Sequence, residues 1–338
     1  METVAELEAK LAEPSEALIR DMTRIDGDVM LLGAGGKMGP SMAKLIVNAV
    51  NAANGSNKVI AVSRFSSDGL RHDLESAGVH TIAADLMNDD ELQRLPDVKN
   101  VIYMAGTKFG TSGNEHFTWA MNAYLPGRVA QKYRKSRIVV FSTGNVYPFT
   151  SVLSGGATEE TEPSPVGEYG QSCLGRERIF EHFSYKNNTP ITIFRLNYAI
   201  DMRYGVLLEI AKAVQEGRPI DVTMGNVNVI WQGDANEMAV RALTVCNTPP
   251  CVVNITGPET VSLRWAAEHF GGLLNKTPII TGQEQSTALL SNATKAHMLF
   301  GYPKVSVRQM MKWIAEWVSI GGLEWNKPTH FQEREGKF

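Results

Sequence analysis

The run Gly33-Ala34-Gly35-Gly36-Lys37-Met38-Gly39 has the most chemically specific spacing in the chain. Glycine at its first position permits a tight turn. Glycine at the fourth lets backbone N–H groups approach an anion, and glycine at the seventh lets a following helix pack closely on the preceding strand. The run lies between apolar Met30-Leu31-Leu32 and a helical pattern opening at Pro40. Proline is tolerated there because its missing N–H would be unpaired in any case. In this strand–turn–helix setting the loop is a cradle for a dinucleotide pyrophosphate facing a helix N-terminus. Gly33, Gly36, Lys37, Met38 and Gly39 are therefore expected to bind a nicotinamide cofactor.

The choice of dinucleotide should be made at the end of the second strand-like run, Val59-Ile60-Ala61-Val62-Ser63-Arg64. An acid there would bind the ribose 2′-hydroxyl of NAD. The chain has Ser63 and Arg64 instead, and a guanidinium can pair a 2′-phosphate bidentately. This favours NADP over NAD.

The elements that position these residues alternate. Strand-like apolar runs at 28–32, 59–62, 81–83, 100–103, 137–141 and 191–194 are separated by helical patterns at 40–54, 67–76, 90–95, 115–134 and 169–182. Such alternation predicts an α/β Rossmann fold, a doubly wound parallel sheet covered on both faces. After Asn197 the rhythm changes: short strand-like segments at 220–222, 227–231 and 252–255 mix with helices at 205–215, 235–244, 263–271 and 307–318. The expected organisation is a helical N-terminal extension (1–26), a dinucleotide-binding domain (27–200) and a smaller C-terminal α/β lobe (201–338), mainly substrate-binding and partly interleaved with the sheet. No chemistry is expected of the N-terminal helices. Pro126-Gly127 should kink the helix at 115–134, and the tail at 325–338 lacks periodicity.

The bulk composition narrows the partners. With 338 residues, 43% hydrophobic and 20% charged, the chain is long enough for one large core and a smaller lobe. A net charge of -3 points away from nucleic acid and from anionic membranes. Seven scattered His suggest no metal site, and Cys173, Cys246 and Cys251 are too few for a disulfide framework. No apolar run reaches the roughly twenty residues of a membrane span. A cytoplasmic protein acting on a small molecule is expected.

At this point the chain resembles the extended short-chain dehydrogenase/reductases of the NAD-dependent epimerase/dehydratase family. Gly33, Gly36 and Gly39 match its GxxGxxG, and Asp85-Leu86 match the position that contacts adenine. Tyr103-Met104-Ala105-Gly106 match the loop closing over the cofactor. Phe141-Ser142-Thr143-Gly144-Asn145-Val146-Tyr147 look like the strand bearing the catalytic Ser/Thr, and Tyr169-Gly170-Gln171-Ser172 like the start of the YxxxK helix. Trp231-Gln232-Gly233-Asp234, Asn254-Ile255-Thr256-Gly257 and Lys295-Ala296 fall where later family signatures fall. The resemblance implies that Tyr169 is the general acid/base and that Thr143 orients the substrate oxygen. It also implies a homodimer paired through the helices at 115–134 and 169–182. Asn197 is placed near nicotinamide or substrate, and Asn145 near substrate.

The sequence departs from the family at the lysine position, which holds Cys173. A free tyrosine titrates near pKa 10 and is a poor base at neutral pH. A cation about 4 Å away is worth roughly 4 kcal/mol at an effective dielectric of about 20, close to three pKa units. A neutral thiol supplies none of this. Arg176, one turn on and on Tyr169's face of the helix, is the compensating candidate, with Lys108 a second. The usual arginine clamp for substrate phosphates is also missing from Gly225-Asn226-Val227-Asn228-Val229-Ile230-Trp231, which argues against a diphosphate substrate. Trp231 suits a sugar ring by stacking, and Arg203 suits a carboxylate. The reading is an NAD(P)-dependent oxidoreductase or epimerase/dehydratase acting on a small carbohydrate, polyol or sugar acid. The alternative is a cofactor-binding protein that kept the fold and lost catalysis, and a third reading is lyase chemistry on tightly held cofactor.

Overall fold

A computed structural model describes residues 1–337 except Ser67, Phe109 and Thr111. Seven strands form one all-parallel sheet: β1 (Val29–Leu32), β2 (Val59–Ser63), β3 (His80–Ala83), β4 (Asn100–Tyr103), β5 (Arg137–Thr143), β6 (Ile191–Leu196) and β7 (Cys251–Ile255). Their spatial order is β7-β6-β5-β4-β1-β2-β3. The chain leaves β1 toward β2 on one side and returns to β4 on the other, so a crevice opens beyond the carboxyl ends of β1 and β4.

Both faces of the sheet are covered, so the residues of β1 alternate between two cores. Val29 and Leu31 pack with α2 (Glu16–Met22), α3 (Gly39–Ala52) and residues farther along the chain. Met30 and Leu32 pack with Leu92 of α5 (Asp89–Arg94), Leu125 and Val129, and Phe180. Between β2 and β3 lies α4 (Asp68–Ser76); the expected start of that helix, Ser67, lies outside the described residues.

The helix expected at 115–134 is instead α6 (Glu115–Trp119), a π-helical turn (Ala120–Tyr124) and α7 (Leu125–Lys132). The N–H of Leu125 reaches the carbonyl of Ala120, five residues back. The extra residue in this turn precedes Pro126, whose missing N–H forbids an ordinary helical bond. The turn also sets Asn122 facing inward, fully buried. Then follow α8 (Gly167–Asn187), α9 (Val206–Glu216), α10 (Gln232–Arg241), α11 (Leu263–Leu274), α12 (Thr294–Phe300) and α13 (Val307–Ser319).

A second core gathers α9, α11 and α13 with four two-stranded pairings. Leu7 and Leu11 of α1 (Val4–Leu11) enter this core, as does Phe331 from the C-terminal segment. The segment expected at 252–255 belongs to the main sheet as β7, and α10 packs on α3. No helix is long and apolar enough to cross a membrane among the described residues.

Candidate active site

Glycine geometry builds the first wall of the site. Gly33 has φ +91°, and a Cβ there would lie 2.7 Å from Ala105 N, so the loop after β1 sits directly on the loop after β4. A Cβ on Gly39 would lie 2.1 Å from Ala34 O, which is the close packing of the start of α3 on the turn after β1. A Cβ on Gly36 meets only Gly33 O, at 3.7 Å, because Gly36 faces open space. That space is a cavity of about 1000 Å³ over the β1/β4 crevice, lined by Gly33, Gly36, Lys37, Met38, Gly106 and residues from the second core's side. A loop free of side chains at Gly33, Gly35 and Gly36, leading into a helix N-terminus, fits a dinucleotide pyrophosphate.

The opposite wall holds the catalytic candidates. Thr143 ends β5, and its Oγ1 accepts from the N–H and Nδ2 of Asn145, each at 3.2 Å. Its side chain is hydrogen-bonded with Tyr169, which enters from the first turn of α8 and also meets the Cys173 thiol. Thr143, Asn145, Tyr169 and Asn197 all line the cavity. Asn197 donates to Leu289 O at 3.4 Å.

Burial raises the Tyr169 phenol well above its ordinary pKa; Cys173 adds to the rise and Arg176 opposes it. Burial likewise pushes the Cys173 thiol up. Cys173 is fully buried, and a neutral inaccessible thiol is no nucleophile.

Arg176 reaches the site from beneath. Its Nη1 donates to Phe141 O at 2.8 Å and its Nη2 to Asn122 Oδ1 at 2.7 Å. Its Nε has no hydrogen-bond partner. Asn122 also accepts from Thr107 N at 3.0 Å and donates to Thr107 O at 2.9 Å and Ser172 Oγ at 3.0 Å. One amide thus ties the β4 loop, α8 and the guanidinium together. Below them Glu177 and Arg195 form a buried pair with Nη2–Oε2 2.6 Å. Arg195 donates to the Tyr147 hydroxyl at 2.6 Å, and that hydroxyl donates to Asn254 Oδ1 at 2.9 Å.

Several expectations need correction. Trp231 does not line the cavity; it is fully buried, edge-on to Trp313 at 5.4 Å, because its strand turns the indole into the second core. Its neighbour Gln232 lines the cavity instead. Arg203 lines the cavity, but it already grips carboxylates of its own chain: Asp201 Oδ2 at 2.6 Å and Glu8 Oε1 at 2.6 Å. It also lies 4.6 Å over the Trp325 ring. The N-terminal extension is not remote from the site, since Val4 and Glu8 help to line it.

Ser63, Arg64, Asp85 and Leu86 lie at or just past the ends of β2 and β3, outside the cavity wall. Ser63 Oγ abuts Gly35, where a Cβ would come within 2.3 Å. Arg64 is exposed, Leu86 is core, and Asp85 accepts from Met87 N at 2.9 Å. Ala105 is buried against Gly33.

Sequence reasoning missed Asn122, the buried pair Glu177–Arg195, and Tyr198. Tyr198 lines the cavity with φ +43°, a left-handed backbone that is strained for an aromatic residue and tends to occur at functional sites. The tail, for which the sequence left covering a pocket and trailing in solvent both open, reaches the cavity: Trp325, Lys327 and Thr329 line it. Burial and the neighbouring Lys327 and Lys108 push the Lys37 ammonium down to about 7, and burial pushes Lys108 down to about 8. Among the described residues no group of three or more His, Cys, Asp or Glu could hold a metal.

Residues 29–227 match the NAD dependent epimerase/dehydratase family. No curated protein matches the chain. Among solved structures, Pal from Bacillus thuringiensis superposes with a TM-score of 0.71 at 17% identity, covering 86% of this chain and 99% of its own. UDP-glucuronic acid 4-epimerase from Bacillus cereus, solved with NAD, gives 0.70 at 18% identity, covering 87% and 98%. UDP-glucose 4-epimerase from Thermotoga maritima, solved with UDP-glucose, gives 0.69 at 17% identity, covering 86% and 98%.

Proposed function

The chain belongs to the NAD dependent epimerase/dehydratase family, and from that premise we propose that it is a nicotinamide-dependent oxidoreductase or epimerase/dehydratase acting on a small carbohydrate or sugar acid. The observation that carries this is the convergence of Tyr169 and Thr143 on the cavity wall above the buried cation of Arg176. The loop from Gly33 to Gly39 would hold the cofactor's pyrophosphate, and the Ala105-Gly106 loop would close against its middle. When bound, the nicotinamide supplies the hydride acceptor or donor.

The chain's own residues do the rest. Thr143 and Tyr169 hold the substrate oxygen between two hydroxyls, and Tyr169 moves its proton. In the free protein the buried phenol is protonated at neutral pH, so Tyr169 rests as an acid, ready to donate to a carbonyl oxygen. To act as a base it needs more positive charge nearby. Arg176 provides part of that, and oxidised cofactor would add more.

The relatives' NAD supports NAD as the cofactor. Ser63 and exposed Arg64, with no carboxylate at either position, support NADP, and the ratio of the two dissociation constants decides between them. Phe117, Trp119 and Tyr124 expose apolar surface on α6 and the π turn, which suits pairing of two copies through this face; sedimentation velocity of the purified chain tests that.

A second reading rests on Cys173. The residue that normally lowers the tyrosine pKa is a neutral thiol here, which suits a protein that binds the dinucleotide without turnover. Screening sugars and sugar acids for absorbance change at the reduced-nicotinamide band tests both readings. Turnover abolished by Tyr169→Phe supports catalysis. Tight cofactor binding without turnover, with a large gain from Cys173→Lys, supports the second reading.

A further inference from the structure

The chain after α13 returns to the cavity. It turns at Gly321, which has φ +66°, and Trp325, Lys327 and Thr329 then form part of the cavity wall. The near end of this stretch is latched to the second core's side. Glu324 pairs with Lys212 of α9, Trp325 N donates to Arg203 O at 3.2 Å, and the Arg203 guanidinium lies 4.6 Å over the Trp325 ring. The far end is latched to both sides: Thr329 O accepts from Lys108, which follows β4, at 3.4 Å, and Thr329 N donates to Glu209 of α9.

Arg203 extends the latch to the other flank of the chain. Its guanidinium grips Glu8 of α1 at 2.6 Å, and Glu8 lies 3.5 Å from Lys44 of α3. A line of contacts thus runs from α3 through Glu8, Arg203 and the tail to the loop after β4. Glu8 and the tail both lie outside residues 29–227, the stretch that matches the family. Polar contacts of this kind are individually weak. What holds the tail down lies beyond the cavity. Phe331 is buried in the second core, and Arg334 donates to Thr287 O at 2.9 Å and to Thr287 Oγ1 at 2.7 Å. A Cβ on Gly167, at the start of α8, would lie 2.4 Å from Gly336 O. Neither Phe331 nor Arg334 lines the cavity.

A dinucleotide on the Gly33–Gly39 loop, the reading above on which this inference rests, would lie beside this tail, because Lys327 is near enough to Lys37 for the two charges to repel. We propose that the tail from Trp325 to Thr329 is a gate over the dinucleotide site, and that Phe331 and Arg334 set how often it opens. A gate stands in the path of entry and exit alike. Opening it more often speeds both and leaves affinity nearly unchanged. Loosening a wall that merely touches the ligand would speed release alone and weaken binding.

The test is stopped-flow binding of NADH and of NADPH to the full-length protein freed of bound nucleotide, read by nicotinamide fluorescence. Release is measured by displacement with excess NAD or NADP. For the dinucleotide that binds, the parent's association rate constant should lie below about 10⁵ M⁻¹s⁻¹, because entry waits for opening. Arg334→Gln and Phe331→Ala should each raise the association and dissociation rate constants by about fivefold or more, with Kd within about threefold of the parent's. Arg334→Gln removes no buried apolar side chain, so it carries the test if Phe331→Ala does not fold. A parent that associates faster than that limit, rates that neither variant moves, or faster release alone with a proportional loss of affinity each overturns the gate while the dinucleotide reading stands. Binding of neither dinucleotide by parent or variants overturns that reading, and the gate with it.

Discussion

A Cβ added to Gly106 would lie 2.4 Å from Arg176 Nη2 and 2.9 Å from Asn122 Oδ1. The absence of a side chain at Gly106 is therefore what admits the guanidinium beneath the site. Gly106→Ala should force a buried, hydrogen-bonded cation to move. A destabilisation of about 2–4 kcal/mol is expected, read from denaturant unfolding, together with weaker cofactor binding. A variant as stable as the parent would show that the guanidinium has room to move.

Arg176 opposes the burial that raises Tyr169. Removing its charge in Arg176→Gln should move the limb of the pH–rate profile that reports Tyr169 upward by about one unit or more. Arg176→Lys should restore part of the shift. An unmoved limb in both variants would make Arg176 a purely structural residue.

Lys37 gives a pH dependence with a definite sign. Its folded-state pKa is about 7, below the roughly 10.4 of an unfolded lysine. Between those values the unfolded chain binds more protons than the folded one, so the Lys37 contribution makes stability rise with pH across that window. Lys108, at about 8, acts in the same direction. Lys37→Met should flatten part of the rise and stabilise the free protein near pH 7. Cofactor phosphate beside Lys37 would raise its pKa again, so binding near pH 7.5 should take up protons. Titrations in buffers of different ionisation enthalpy measure this; no dependence on buffer would place the phosphates elsewhere.

The C-terminal segment is anchored by Phe331, 1% exposed in the second core. Phe331→Ala should cost about 3–5 kcal/mol and expose the tail to C-terminal proteolysis. Stability close to the parent's would mean that the tail docks through its polar contacts alone.

The parts of this site that could be read from sequence were those with local signatures. The glycine loop was legible because a tight turn and close helix packing each demand glycine at a set position, and both demands recur in the geometry of Gly33 and Gly39. The parallel sheet was legible from the alternation of apolar runs and helical patterns. Arg176 was reachable by helical spacing from Tyr169. What joins distant segments was not legible. Asn122 faces Arg176 only because a π turn before Pro126 rotates it inward. Trp231 followed the family signature in sequence, but its pleat turns the ring into the core. Arg203 looked available until the fold brought Glu8 to it beside the neighbouring Asp201, and nothing local in the tail placed Lys327 at the cavity wall near Lys37.

The most direct measurement of the central claim is turnover at the reduced-nicotinamide band, with sugars and sugar acids as substrates, for the parent and for Tyr169→Phe. Expected is dinucleotide-dependent turnover in the parent and a loss of a hundredfold or more in Tyr169→Phe, with cofactor affinity nearly unchanged. Turnover that survives Tyr169→Phe undiminished would contradict the assignment of Tyr169 as the proton-moving group.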